Sequence, residues 1–246
     1  MYILLYIHNF INMKVILCGA QSVGKTTVID AIPEKYRSLV IKKVIRDIVL
    51  KEDLRVNENA DICSQSKFFD AYWNLLSSKD SYISDRGLLD VVAYTKNLAE
   101  DRQLGMALYW HQLRLFKEWI QNHPDEVYVY IPIEFPIVDD GFRSTDDYYR
   151  QGCDNCIREV LDECGIKYIV LRGSVEERNK KFKKLLEDIE KKKKLTYSHL
   201  SPVKFKRKKM PTPKFEDATI LNTEPKIVSS NDTEIAGKIF RVPIIK

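Results

Sequence analysis

Glycine and proline are scarce, nine of each in 246 residues, and this argues against a chain disordered throughout. The most apolar stretch, MYILLYIHNFIN at residues 1–12, is too short to span a bilayer. It also lacks a basic start and a small-residue cleavage site, so it does not read as a secretory leader. We expect an N-terminal extension of minor importance to the fold, an extra edge strand or a surface anchor being the alternatives. The cysteines are odd in number (Cys18, Cys63, Cys153, Cys156 and Cys164), which without a leader excludes a disulfide framework and points to reduced thiols in the cytoplasm. Cys153 and Cys156 have the spacing of half a zinc site, but no second pair follows, so they read as helix-face or core residues.

With 44% hydrophobic and 30% charged residues, the remaining composition is that of a globular protein, and no membrane association is expected. The net charge of +5 is unevenly spread. Between Arg178 and Lys214, fifteen Lys or Arg stand against Glu187, Asp188 and Glu190, so this segment carries +12 and the rest of the chain −7.

Strand and helix patterns alternate along the chain. MKVILCGA, SLVIKKVI, SYISDRG, EVYVYIPIE and IKYIVLRG read as strands. Helical patterns follow Lys25, cover residues 61–77, appear as LLDVVAYTKNLAE and MALYWHQLRLFKEWIQN, open at a Thr145 cap, and open again at Ser174 with Glu177 completing a capping box. The alternation predicts an α/β fold, a parallel sheet covered on both faces, with ligands at the carboxyl ends of the strands. The expected organisation is an extension at 1–12, a main domain at 13–195 with a lid near 134–150, and a basic linker and appendage at 196–246.

GAQSVGKTT, residues 19–27, fits G-x-x-x-x-G-K-[ST] between a strand and a helix. Gly19 and Gly24 permit the turns by which Ala20, Gln21, Ser22 and Val23 aim backbone N–H groups at phosphates. Lys25 is placed to bridge the β- and γ-phosphates of ATP, and the Thr26 hydroxyl, followed by Thr27, to ligate magnesium. No guanine-reading N-K-x-D is present, and at the strand tip Asp85 is followed by Arg-Gly-Leu instead of completing a D-x-x-G, which excludes a GTPase switch. The tip also lacks the Asp-Glu of a motor ATPase. An acidic Asp85 there can hold magnesium or accept a proton, and Arg86 can hold an acceptor phosphate.

GAQSVGKTT, VIRDI, the Gln65 helix, SDRGLLDVVAYT and DDGFRSTDDYYR together resemble the nucleoside and nucleotide kinase branch of P-loop proteins. The similarity is greatest to a small ATPase/kinase family that includes a ribosylnicotinamide-kinase-like domain and has viral members. The resemblance spans residues 13 to about 178. It implies a three-layer α/β/α sandwich on a five-stranded parallel sheet, magnesium-ATP, and transfer or hydrolysis of the γ-phosphate. For a viral member the setting would be the host cytoplasm. Within it, Asp85 and Arg86 match the strand-tip pair, Arg46 an acceptor-binding residue and Asp47 a general base, a role open to Asp85 as well.

Arg143 and Arg150 in the lid could close over the transferring phosphoryl group. Gln65, Phe69 and Trp73, together with Phe68, Tyr72 and Tyr94, are candidates for an acceptor pocket, though their helical spacing also suits a core. The basic run Lys191–Lys209, interleaved with Tyr197, His199 and Phe205, suits a nucleic-acid backbone or a solubilising tail. The sequence thus reads as a kinase for a nucleoside or (deoxy)nucleoside monophosphate. Its rivals are a kinase for a hydroxyl or 5′ end in DNA or RNA, and an ATP-hydrolysing regulatory module. A homodimer is compatible with all three.

Overall fold

The computed structural model describes residues 12–102, 106–137, 141 and 144–199. The expectations for residues 1–11, for Arg143 and most of the lid tip, and for residues 200–246 lie outside them.

Strand β1 (Lys14–Cys18) runs into the P-loop and helix α1 (Lys25–Asp30). A 3-10 turn leads to β2 (Val40–Ile41) and α2 (Val44–Glu52). Then come α3 (Ile62–Ser77), β3 (Tyr82–Asp85), α4 (Leu88–Arg102), α5 (Met106–Asn122), β4 (Val127–Tyr130), α6 (Asp147–Glu163), β5 (Tyr168–Val170) and α7 (Val175–His199). All five strands are parallel, in the order β2-β3-β1-β4-β5. This is the P-loop-kinase-like α/β fold, and the parallel arrangement expected from alternating elements is observed.

The sheet is apolar on both sides because helices cover both. Along β1 the alternation divides the core: Ile16 and Cys18 join a cluster with Phe68, Tyr72 and Phe116. Val15 and Leu17 join another with Val28, Ile29 and Phe182. β1 is central, so its carboxyl end, where the P-loop begins, lies between the tips of β3 and β4.

Three local expectations are corrected. SLVIKKVI is a strand only at Val40–Ile41, because Lys43 adopts a left-handed conformation (φ 65°) and starts α2 at Val44. The cap of α6 is Asp146 rather than Thr145: its carboxylate accepts from the N–H groups of Tyr148 (2.8 Å) and Tyr149 (3.3 Å). The basic helix also runs further than expected, to His199. The capping box at Ser174 is present, with Glu177 Oε2 accepting from Ser174 N at 2.9 Å and Ser174 Oγ from Glu177 N at 3.3 Å. Among the described residues no helix is long and apolar enough to cross a membrane.

Candidate active site

The P-loop carries unusual backbone angles where its turns need them. Gly19 has φ 151°, Ser22 58° and Gly24 92°. A Cβ on Gly19 would meet the Ile131 carbonyl oxygen at 2.5 Å, so the first glycine is required by space as well as by angle.

Two buried arginines fix the direction of the loop's peptides. Arg150 donates from Nε to Gln21 O (3.0 Å) and from Nη2 to Ser22 O (3.3 Å) and Phe135 O (2.8 Å). Arg178 donates from Nη1 to Val23 O (2.6 Å) and from Nη2 to Glu134 Oε2 (2.6 Å). Each is 1% exposed. In a trans peptide the N–H points opposite to the C=O. Pinning the carbonyls of residues 21, 22 and 23 therefore turns the N–H groups of Ser22, Val23 and Gly24 to the other side, where phosphate oxygens would sit. Lys25 is folded into the loop, donating to Gly19 O (2.8 Å) and Ala20 O (2.6 Å).

This geometry corrects the expectation for Arg150. Instead of standing in a lid above the phosphates, it lies in the first turns of α6, buried against the loop with its donors taken by carbonyls. Arg178 had no assigned role; its only sequence signal was its place four residues after the Ser174 cap. Arg178→Ala would leave Val23 O without its donor and Glu134 with Arg172, at 3.3 Å, as a more exposed cation. It is expected to weaken Mg-ATP binding about tenfold to a hundredfold, measured by titration calorimetry, with Arg178→Lys in between.

At the tip of β3, Thr26 Oγ1 donates to Asp85 Oδ2 at 2.7 Å, and Tyr72 Oη donates to the Asp85 carbonyl at 3.0 Å. A hydroxyl and a carboxylate held together beside a phosphate cradle are a hard-oxygen donor set that suits magnesium.

Arg86 follows in a left-handed conformation (φ 76°), which turns the chain sharply into α4. Its guanidinium lies 3.5 Å from Asp90 Oδ1 and 4.8 Å from the centre of the Tyr94 ring. Burial works against the Arg86 charge, but Tyr94, Asp90 and Asp85 together hold its proton more tightly than usual. Asp90, within SDRGLLDVVAYT, carries no expectation from the sequence. It is 1% exposed and accepts from Gly19 N (3.3 Å) and Gly87 N (3.1 Å), so it ties the start of the P-loop to the start of α4. Burial raises its carboxyl above the ordinary carboxylate value, opposed by Arg86 and Lys25.

The cradle opens into a cavity that reaches Arg46, Gln65, Phe68, Tyr72 and Tyr94. Gln65 is buried there, its Oε1 accepting from Thr95 Oγ1 at 3.1 Å. Phe69 and Trp73 are corrected: they do not line this cavity. They stack on each other at 5.9 Å, and Trp73 meets Trp119 at 5.1 Å. The reason is helical phase: residues 65, 68 and 72 share one face of α3, and 69 and 73 sit beside it.

Asp47 is corrected on the same ground. One helical step beyond Arg46, it turns into a separate cleft lined by Ser38, Lys51 and Lys79, away from the phosphates. Cys153 and Cys156 are buried free thiols. Cys156 comes near Glu100 and Glu159, and Lys96 forms ion pairs with both, at 2.6 Å from Glu159 and 3.8 Å from Glu100.

Residues 14–178 match the model of a family described as AAA domain. No curated protein matches the chain. Among solved structures, deoxyadenosine kinase from M. mycoides with products dCMP and a flexible dCDP bound superposes with a TM-score of 0.50. The identity is 15%, over 72% of this chain and 100% of that one. NadR protein in complex with NR also gives 0.50, at 18% identity, over 66% of this chain and 44% of that one. A NadR complex with NAD and AMP-PNP gives 0.48 at 14% identity, over 67% and 46%. The chain therefore spans less than half the length of the NadR chains it resembles. At these identities the likeness is one of fold.

Proposed function

The chain belongs to the AAA domain family, on a P-loop-kinase-like fold, and from that premise we propose that it is a magnesium-ATP-dependent phosphotransferase whose acceptor is a nucleoside or nucleoside monophosphate. One observation carries this reading: the phosphate cradle and a part-aromatic cavity with its own cations form one continuous space. A hydrolytic switch needs only the cradle, whereas a transferase needs room for a second substrate in line with the γ-phosphate.

The residues divide along that space. The N–H groups of Ser22 to Gly24 hold the triphosphate, and Lys25 exchanges its carbonyl partners for phosphate oxygens. Thr26 and Asp85 would hold a magnesium ion, which offsets the triphosphate charge. Arg86 faces the junction of donor and acceptor, where negative charge accumulates during transfer. Gln65, Phe68 and Tyr72 form the wall for the acceptor body. Deoxyadenosine kinase, the neighbour with products dCMP and dCDP bound, has the same fold and gives the acceptor class independent support.

Acceptor dependence tests the reading. ADP release is expected to be slow with ATP and magnesium alone. It should rise about a hundredfold or more when a mixed pool of nucleosides and nucleoside monophosphates is added, because a kinase site is completed by its second substrate. An ADP rate indifferent to every acceptor would contradict transfer and leave a simple ATPase.

A further inference from the structure

We propose that the acceptor arrives already phosphorylated, so that the attacking atom is an oxygen of a phosphomonoester dianion and not of an alcohol. This rests on the phosphotransferase reading above and narrows its substrate class.

The first observation concerns proton acceptors. Among the described residues lining the cavity, the carboxylates are Asp85 and Asp90. Asp85 is engaged by the Thr26 hydroxyl at 2.7 Å, in the position assigned to the metal. Asp90 is sealed from solvent and holds two backbone N–H groups besides Arg86. Asp47 faces another cleft. No carboxylate among these residues stands ready at the acceptor end.

An alcohol needs such a base. When its oxygen bonds to the γ-phosphorus and the bond to the β-phosphate oxygen breaks, its own proton must leave, and the products are a phosphomonoester, ADP and H⁺. A phosphomonoester dianion has no proton to lose. Its oxygen forms the new bond, the electron pair of the broken bond leaves with ADP, and the total charge of substrates and products is equal.

The second observation concerns charge. Lys43, Arg46 and Arg86 all line the cavity, beyond the residues of the P-loop itself. Lys43 and Arg86 do so from left-handed backbones, φ 65° and 76°, which non-glycine residues avoid unless the surrounding structure holds them there. Ser22 and Asn57 line the cavity from left-handed backbones as well, so it is the three cations together that fit an anionic ligand. Gln21, from the P-loop, adds a donor to the same cavity: its Oε1 accepts from Tyr94 Oη at 2.9 Å, while its Nε2 is buried without a partner. A phosphate oxygen would satisfy it. The aromatic faces of Phe68 and Tyr72 take the uncharged remainder of the acceptor.

The test compares each ribo- and deoxyribonucleoside with its own 5′-monophosphate, using γ-labelled ATP, magnesium and the full chain. For the best base, kcat/KM for the monophosphate is expected to exceed that for the nucleoside about a hundredfold or more, the usual worth of a missing general base. Lys43→Gln should raise KM for the monophosphate about tenfold while kcat changes little, as expected for a charged contact made in ground and transition state alike. Label entering nucleosides as well as or better than monophosphates would overturn the proposal and leave the phosphotransferase reading standing. Label appearing only as free phosphate would overturn both.

Discussion

Lys25→Ala is expected to lower phosphoryl transfer about a thousandfold or more and to leave the fold standing. The side chain is 5% exposed and ends on Gly19 O and Ala20 O, carbonyls of its own loop. Its charge also acts on the buried Asp90, which keeps Arg86 at 3.5 Å, so its removal opens a small polar gap without disconnecting the core. Water entering the gap can bind those carbonyls instead, which limits the loss of stability to about 1–2 kcal/mol. In the proposed complex with ATP the same ammonium would turn to the phosphates. Thermal melting and single-turnover transfer, measured on the same preparation, separate the two effects. A variant that melts like the parent but transfers at the parent's rate would remove the P-loop assignment.

The second large effect is expected at Asp85. Asp85→Asn keeps a carbonyl oxygen that can still accept from Thr26 Oγ1, so the strand tip should keep its shape. The change removes one unit of negative charge from the position assigned to magnesium. Turnover is expected to fall about a hundredfold or more, with the magnesium concentration for half-maximal rate shifted upward and ATP binding largely retained. The Tyr72 hydroxyl bonds to the Asp85 backbone carbonyl, not to its side chain, so β3 keeps its link to α3 in the variant. A variant that unfolds would make Asp85 a structural residue. One that turns over normally at low magnesium would separate Asp85 from the metal.

The cradle and the strand tip were legible in the sequence because their chemistry is local. GAQSVGKTT is a contiguous motif between a strand and a helix, and Asp85–Arg86 end a strand whose partner β1 delivers the P-loop alongside. The acceptor side was less legible because it depends on phase. Gln65 and Phe68 face the cavity while Phe69 and Trp73 turn into the aromatic packing around Trp119, a distinction of one helical step. Arg46 and Asp47 part for the same reason, and the left-handed Lys43 that sets the phase of α2 carries no motif.

Longer-range relations were beyond reach. Arg150 and Arg178 are 128 and 155 residues distant from the carbonyls of Ser22 and Val23 that they hold. A single sequence shows an arginine in a polar loop and an arginine at the head of a basic helix, with nothing to say that both are buried. Asp90 lay in plain view within DRGLLD, four residues after Arg86. Its second task, accepting from Gly19 N 71 residues earlier, appears only once β1 and β3 are side by side.

The basic run beginning at Lys191 enters the structure as the end of α7, where Lys193 lies 3.4 Å from Asp125. One of its lysines is thus paired with an acid of the main domain, and the expected nucleic-acid segment from residue 200 onward lies outside the described residues.

The most direct measurement of the central claim is the fate of the γ-phosphoryl group. The full chain would be given γ-labelled ATP, magnesium and a pool of nucleosides and nucleoside monophosphates, and the products would be separated chromatographically while total ADP is measured in the same tube. Label in an acceptor, in amounts equal to the ADP formed and absent with Lys25→Ala, is the result predicted for a phosphotransferase. Label recovered wholly as inorganic phosphate, at a rate that no acceptor changes, would contradict it.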